Sequence, residues 1–496
     1  MGTIIVIGAG VAGLAAAARL SRGGTTVIVL DRAPAAGGAL ASPGAHTLTL
    51  PAVYRDLFVK TGSRKKSAAA ALEDNVDLLP VDPVRRYLFA DGTRLDLPNS
   101  SRAGLLEAFD SAFGAGAGHE WLQVIEHGRA AWGVLRPAWF EAPRATTRDM
   151  WSLLTTRAGR RALTPRTTLR ALSHHWFTNP RLGLLLDEYA LGCGADPRQA
   201  PGILAIAPYL EHTFGAWRVA GGMSNLVEAI YQRALSRGVE VRLGCQVARI
   251  TTADDGSVSG VELADGSHLP AETVIAAIDS TRLAALTSPA SPQPPPVATY
   301  SHSIFTVLLR VPGVAAMPHE TVLFADHDAA SVDARLNAVF GPTPHLGVDP
   351  TIRVCVTAER PEDWALHVPA PRHTADTSPA AGALDWTTPN VATAYADKLV
   401  SILARRGLFP TAATPTIERI ITPADRELAT GVPGGAAYGP ATNGLRATLL
   451  RSPVVQPTPG LFHIGASARP GPGLPFAALS AWHVSELLVP RTTRPT

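Results

Sequence analysis

The segment TIIVI, residues 3 to 7, runs straight into Gly8, Gly10 and Gly13 at GxGxxG spacing, and an Ala/Leu-rich helical stretch follows as far as Gly23 and Gly24. A second apolar run, Thr26 to Leu30, ends on Asp31, 23 residues after Gly8. Strand, tight turn, helix, strand and acid in that order predict a βαβ unit built to hold a dinucleotide. Gly8 permits the turn, Gly10 lets backbone approach a pyrophosphate, and Gly13 lets the helix lie close on the strand. The helix N-terminus, with Val11 and Ala12 in its first turn, attracts the phosphate charge. Asp31, followed by Arg32, is positioned to accept hydrogen bonds from the adenosine ribose. A bare GxGxxG also occurs in ordinary glycine-rich turns; the complete arrangement is what makes the prediction.

Gly37 and Gly38, followed by Ala39, add a second glycine pair just past the acid. Nicotinamide enzymes usually lack it. The pattern resembles the extended FAD fingerprint of the amine-oxidase and phytoene-desaturase superfamily, so FAD is the cofactor that the resemblance implies.

At 496 residues the chain exceeds the size of one core, and two or three substructures are expected. A net charge of +3 gives no ground for a nucleic-acid partner. Only four of the 44 basic residues are lysines (Lys60, Lys65, Lys66 and Lys398). Cys193, Cys245 and Cys355 are odd in number and widely spaced, which suggests neither a disulfide framework nor a zinc site. His174 and His175, being adjacent, cannot face one metal from a helix, and no metal is expected. With no basic leader ahead of the first strand and no run of about 18 apolar residues, a reducing, cytoplasmic setting is expected.

The expected class is α/β: a discontinuous Rossmann-like FAD-binding domain with a mixed-sheet substrate domain and a helical cap. Residues 1–60, 213–287 and 440–496 are assigned to the FAD-binding domain, 61–100 and 297–439 to the substrate domain, and 101–212 to the cap. Residues 52 to 61 have helical spacing, and 76 to 97 read as short strands turning at Asp91-Gly92. In the return segment, Gly221-Gly222 precedes a helix from about Ser224. Strands follow, through TVIAAID at 273 to 279, with Val247 and Ala277 on the cofactor side. SPASPQPPP, 288 to 296, is a linker. Strands are expected at 300 to 311 and 352 to 357, a helix from Asn390 to Arg406, and no structure from Val368 to Pro389.

The cap carries five of the nine tryptophans and ten arginines between 129 and 181, against two acids, Glu141 and Asp149. Tryptophan with arginine suits a membrane interface, on the inner face of the cell membrane. A helical cap with core tryptophans and solvated arginines fits equally, and the sequence leaves both readings open.

The stretch from Gly460 to Leu488, GLFHIGASARPGPGLPFAALSAWHVSELL, reads as a strand, a close backbone approach at Gly465 and Ala466, a rigid loop, and a helix starting near Pro475. It resembles the carboxyl end of bacterial phytoene desaturases. DLLPVDPVRRYLFADG, RVAGGMSNLVEAI, PHETVLF, LDW, Thr422-Pro423 and GGAAYG resemble the same family in order. The resemblance adds Gly465, Ala466, Gly473, Leu474 and Pro475 to the FAD site. It departs in three places: Ala468, Arg469 and Pro470 replace Thr-His-Pro, Phe476 replaces a glycine, and AHTLTLP lacks the expected DxGPT.

The resemblance implies desaturation of a long apolar isoprenoid, phytoene-like, by hydride transfer to flavin N5, with a quinone or oxygen as electron acceptor. Arg469 is the one candidate for a catalytic position near the isoalloxazine. A saturase or isomerase of a polyene is not separated from this by sequence. An amine oxidase on the same fold would place a lysine near the flavin, and no lysine lies between Lys66 and Lys398. A non-enzymatic prenyl-binding protein would tend to lose the flavin fingerprint, and both its ends are kept.

Overall fold

The computed structural model describes residues 2–21, 25–41, 47–62, 71–287, 300–357, 359–375, 383–410 and 413–488. Five strands form a wholly parallel sheet in the order Leu461–His463, Thr273–Ala276, Thr3–Ile7, Thr26–Leu30, Glu240–Arg242. Alternate residues of the central strand serve two cores. Ile4 and Val6 face the glycine-flanked helix Val11–Leu20 and the last helix, Leu474–Leu488. Ile5 and Ile7 face a three-stranded antiparallel sheet through Val247, Ile250, Val261 and Leu263. Burial on both faces explains why the strand reads as an unbroken apolar run rather than an alternating one. Helix Val11–Leu20 is buried throughout, and its alanines at 15 to 18 let the last helix, through Ala478, Ala481 and Val484, pack against it.

A seven-stranded mixed sheet runs in the order Thr416–Ile421, Ser303–Arg310, Arg360–Ala370, Ile352–Thr357, Glu320–Leu323, Arg85–Leu88, Arg94–Leu97. Helix Val391–Arg405 covers it with Tyr395, Ala396, Leu399, Ile402 and Leu403. Towards Arg94–Leu97, Tyr87, Leu95, Leu97 and Val322 share a core with the helices Arg102–Phe113, Ala117–Leu135 and Pro180–Gly192.

Expected elements recur close to their bounds, at Ala52–Thr61, Met223–Ser236, Ile352–Thr357 and Val391–Arg405. Two differ. Leu78–Pro80 does not join the mixed sheet but pairs with Trp217–Val219 as a separate ribbon. Between 368 and 389, where no structure was expected, a strand continues to Ala370 and Arg372–His373 pairs in parallel with Ala383–Leu384. Buried Trp386, donating to the Pro371 carbonyl and stacked on Phe305, pins that pair from a distance that no local pattern encodes. The linker 288–296, Gly23 and Gly24 lie outside the described residues.

Pro137 ends the long helix at Leu135 by falling in the first turn of a wider turn, Arg136–Phe140, where its missing N–H costs nothing. Trp121 and Trp139 are core residues, and Trp151 is 38% exposed. Among the described residues no helix is long and apolar enough to cross a membrane, and none of the His, Cys, Asp and Glu side chains cluster as metal ligands. His174 and His175 are both exposed.

Candidate active site

The parallel sheet reverses its direction of growth beside Thr3–Ile7, whose neighbours are Thr26–Leu30 and Thr273–Ala276, so a crevice opens at the carboxyl ends of these strands. The glycine-rich turn lies in it. A Cβ added to Gly13 would stand 1.9 Å from the Gly8 carbonyl oxygen, so only glycine lets the helix start this close to the strand. Gly10 is different. The nearest atom to a Cβ there is the Gly38 Cα at 3.9 Å, and Gly10 and Gly37 form a bridge. The two glycine pairs therefore stand backbone to backbone, with a gap that any side chain at Gly10 would occupy. The expected diphosphate site falls on this gap.

Of the remaining predicted cofactor residues, Ala277 and Gly465 lie against this turn and its helix. Ala277 donates its N–H to the Ile7 carbonyl and touches the turn, and Gly465 lies against Ala12 with its N–H given to Ser480 Oγ at 3.0 Å. Ala466 is exposed between buried neighbours, Gly473 is exposed, and the Leu474 carbonyl accepts from Tyr54 at 2.7 Å. Asp31 takes the Ala9 N–H (2.6 Å) and the Ala33 N–H (2.8 Å), one on each oxygen, which fixes the carboxylate at the strand end. Gly244 and Cys245 donate to the carbonyls of Ala33 and Asp31, which brings buried Val247 to the same end. Arg32 turns away: its guanidinium donates to the Leu428 and Ala429 carbonyls at the end of helix Pro423–Thr430. Gly38 and Ala39 are exposed along the gap, and Pro475 is buried in the first turn of the last helix.

Arg469 points at the cap. Its guanidinium lies 4.5 Å over Trp139 and donates to the Ala145 carbonyl at 2.8 Å. Phe476 stacks on Phe140 at 4.9 Å, and His483 Nε2–H donates to the Phe140 carbonyl at 2.8 Å. Two of the departures from the desaturase pattern, Arg469 and Phe476, thus meet the same cap segment, and they clamp it onto the loop and helix start at residues 469–476.

Sequence reasoning missed two polar groupings. Asp279, just past the strand Thr273–Ala276, accepts from its near neighbour Thr281 Oγ1 (2.7 Å) and from Tyr300 Oη (2.7 Å) and Ser467 Oγ (2.5 Å), which tie in two remote segments. Beside it, Arg372 donates to the Tyr300 carbonyl, and Arg451 to the carbonyls of Ala466 and Pro440. Burial pushes both guanidinia down, to about 10. His302, between Phe340 and Tyr438 at 5.6 Å from each ring, is held neutral, down at about 3, by burial and by the charges of Arg372 and Arg426.

The second grouping is a buried ionic cluster between the mixed sheet and the cap. Glu320 pairs with Arg85 and, at 2.6 Å, with Arg353. Arg353 also pairs with Glu188, and Arg85 reaches Glu211 (3.4 Å) and Tyr87 Oη (2.9 Å). Burial alone would raise the Glu320 carboxyl, but Arg353 and Arg85 outweigh it and hold it at about 2. Its members come from five elements, so no motif spacing announces it. Lys398, the one lysine in the second half of the chain, donates to the carbonyls of Leu346, Gly347 and Val348 and is engaged away from the glycine pairs; Lys65 and Lys66 lie outside the described residues.

The family model of flavin-containing amine oxidoreductases matches residues 11–321. The chain is 30% identical to a hydroxyneurosporene desaturase of Cereibacter sphaeroides, over 98% of this chain and 97% of that one. It is 29% identical to a hydroxyneurosporene desaturase of Rubrivivax gelatinosus, over 98% and 93%. Among solved structures, an oxidoreductase from Methanosarcina mazei has a similar fold, with a TM-score of 0.60 at 16% identity, covering 98% of this chain and 100% of that one.

Proposed function

The chain belongs to the flavin-containing amine oxidoreductase family, and from that premise we propose that it desaturates a long linear isoprenoid of the carotenoid-precursor class. The reading is carried by one observation: likeness to carotenoid desaturases over nearly the whole chain, in a fold that brings the two glycine pairs and the C-terminal loop to one crevice. When bound, FAD supplies the hydride acceptor that such a reaction needs. The turn at Gly8, Gly10 and Gly13 with Gly37 and Gly38 would hold its diphosphate, Asp31 its ribose, and Gly465 to Pro475 its flavin end. Arg469 enters as a positioning residue that ties the loop before Pro475 to Trp139. His302, kept neutral, is a poor store for a proton, which suits a reaction where growing conjugation, rather than a strong base, favours proton loss. FAD-loaded protein given phytoene or related polyenes in liposomes with a quinone is expected to yield products absorbing at longer wavelength. Unchanged polyene spectra with every substrate would overturn the reading.

Membrane attachment belongs to the same proposal. Arg144, Arg148, Arg157, Arg160, Arg161 and Arg166 are exposed, and none is in an ion pair among the described residues; Trp151 is exposed between them. Each arginine near an anionic leaflet contributes about 1 kcal/mol. Replacing Arg157, Arg160 and Arg161 together by alanine is therefore expected to lower partitioning onto phosphatidylserine vesicles on the order of a hundredfold. Equal flotation of wild type and variant would remove these residues from the interface.

A further inference from the structure

A buried guanidinium lies against the loop 465–471 and meets carbonyls rather than a carboxylate. Arg451 runs along Gly471, where an added Cβ would stand 3.5 Å from its Nε. Its Nη1 donates to the Ala466 carbonyl at 3.0 Å and its Nη2 to the Pro440 carbonyl at 2.8 Å. Arg469, on the loop itself, is buried too, and its described partners are the Ala145 carbonyl and the face of Trp139. Such partners satisfy N–H groups and leave the charge. Among the described residues neither guanidinium is in an ion pair. One opposing charge touches the loop: Asp279, which accepts from Ser467 Oγ at 2.5 Å and otherwise faces the hydroxyls of Tyr300 and Thr281. Cys193, the other ionisable group that Arg451 feels, is kept protonated by burial, which pushes its thiol up to about 11. Arg451, lowered by burial to about 10, stays charged at neutral pH. Two guanidinia against one carboxylate leave the loop with a positive excess in a dry setting, an arrangement that costs stability unless a negative charge arrives to meet it.

The reaction proposed above supplies that charge. A substrate C–H bond breaks, its electron pair and hydrogen form the N5–H bond, and the second proton that the substrate loses goes to solvent, so one negative charge remains on the reduced ring. We propose that Arg451 is an electrostatic partner of the flavin, its charge held behind the loop 465–471 to stabilise the reduced cofactor as an anion and raise its affinity for electrons, with Asp279 opposing it from the same loop. The proposal rests on the placing of the flavin end at Gly465 to Pro475 in the desaturating reading above. Two hydrogen bonds fix the guanidinium before any charge develops, so no reorganisation is needed when it does. The amino end of helix Leu474–Leu488, which follows the loop, adds a partial charge of the same sign.

The test is the midpoint potential of the bound flavin, which needs no substrate. FAD-loaded full-length protein is reduced stepwise with dithionite against reference dyes. Arg451→Gln removes the charge and keeps a donor for one of the two carbonyls. It is expected to lower the equilibrium constant for two-electron reduction about tenfold, which is about 30 mV in the midpoint. Asp279→Asn removes the opposing charge and is expected to raise the same constant by about tenfold. Loss of a merely structural tie would not give shifts whose sign follows the charge removed. Wild type supplies a second measurement that holds even where a variant fails to fold. Below neutral pH its potential is expected to change by about 30 mV per pH unit, one proton for two electrons, against twice that for a neutral reduced flavin. Shifts of one sign, an unchanged potential in either flavin-loaded variant, or the two-proton slope in wild type would overturn the proposal. Protein that shows the opposed shifts and makes no new double bond fails the desaturase reading alone; protein that desaturates with a potential indifferent to both charges fails this proposal alone.

Discussion

Gly13→Ala is expected to give no flavin-loaded protein, while Gly10→Ala is expected to give folded protein without flavin. The two positions stand three residues apart in one turn, and the difference lies in what a methyl group would meet. At Gly13 the new carbon would overlap the Gly8 carbonyl oxygen at 1.9 Å and crowd the Ala277 side chain at 3.2 Å. Both neighbours are held by the parallel sheet, so relief requires shifting helix Val11–Leu20 off Thr3–Ile7. That helix carries much of the core shared with the last helix, and overpacking of a fixed core costs about 1–3 kcal/mol and at such a separation more. At Gly10 the new carbon meets only the Gly38 Cα at 3.9 Å. The fold tolerates it, and the methyl would take the space proposed for the diphosphate. Purification of each variant, with flavin absorbance and circular dichroism, separates the outcomes. Gly13→Ala carrying flavin at wild-type stoichiometry would show that this approach is not what fixes the turn.

The same turn shows how much was legible in the residues. A short glycine motif, an acid at a set distance and a strand buried on both faces are local statements, and local statements survive into three dimensions. The strands Thr3–Ile7 and Thr273–Ala276 are apolar runs for the same reason. What could not be read depends on pairing across the chain. Leu78–Pro80 has the composition of a sheet strand, and its partner, Trp217–Val219, is set by the cap that comes between them. Arg469 occupies a position where the desaturase pattern has histidine, and the pattern pointed it at the flavin; its contacts are with Trp139 and Ala145, residues that no spacing rule connects to it. The tryptophans of the cap divide in the same way. Trp121 and Trp139 face inward and Trp151 outward, a split decided by where each helix packs rather than by the richness of the segment.

Glu320→Gln is expected to destabilise the protein by about 3–5 kcal/mol without removing a cofactor contact. The carboxylate is 2% exposed and shared by Arg85 and Arg353, so its neutral replacement leaves two guanidinia facing each other in a dry interior. Glu188 and Glu211 compensate one arginine each at its far side and cannot span the gap. The effect has a pH counterpart whose direction follows from the depressed carboxyl. Glu320 titrates at about 2 in the folded protein against 4.5 ordinarily. Its contribution is therefore whole above pH 4.5 and is lost as pH falls from there towards 2, about 3 kcal/mol in all. Wild type should lose stability steeply across that window, and Glu320→Gln, already lacking the charge, should lose less. Urea denaturation of both proteins at pH 7 and at about pH 2.5 measures the two terms together. A variant within about 1 kcal/mol of wild type at pH 7, or parallel losses on acidification, would mean that Arg85 and Arg353 find other acceptors. The cluster would then be a consequence of how the cap lies on the mixed sheet rather than what holds it there.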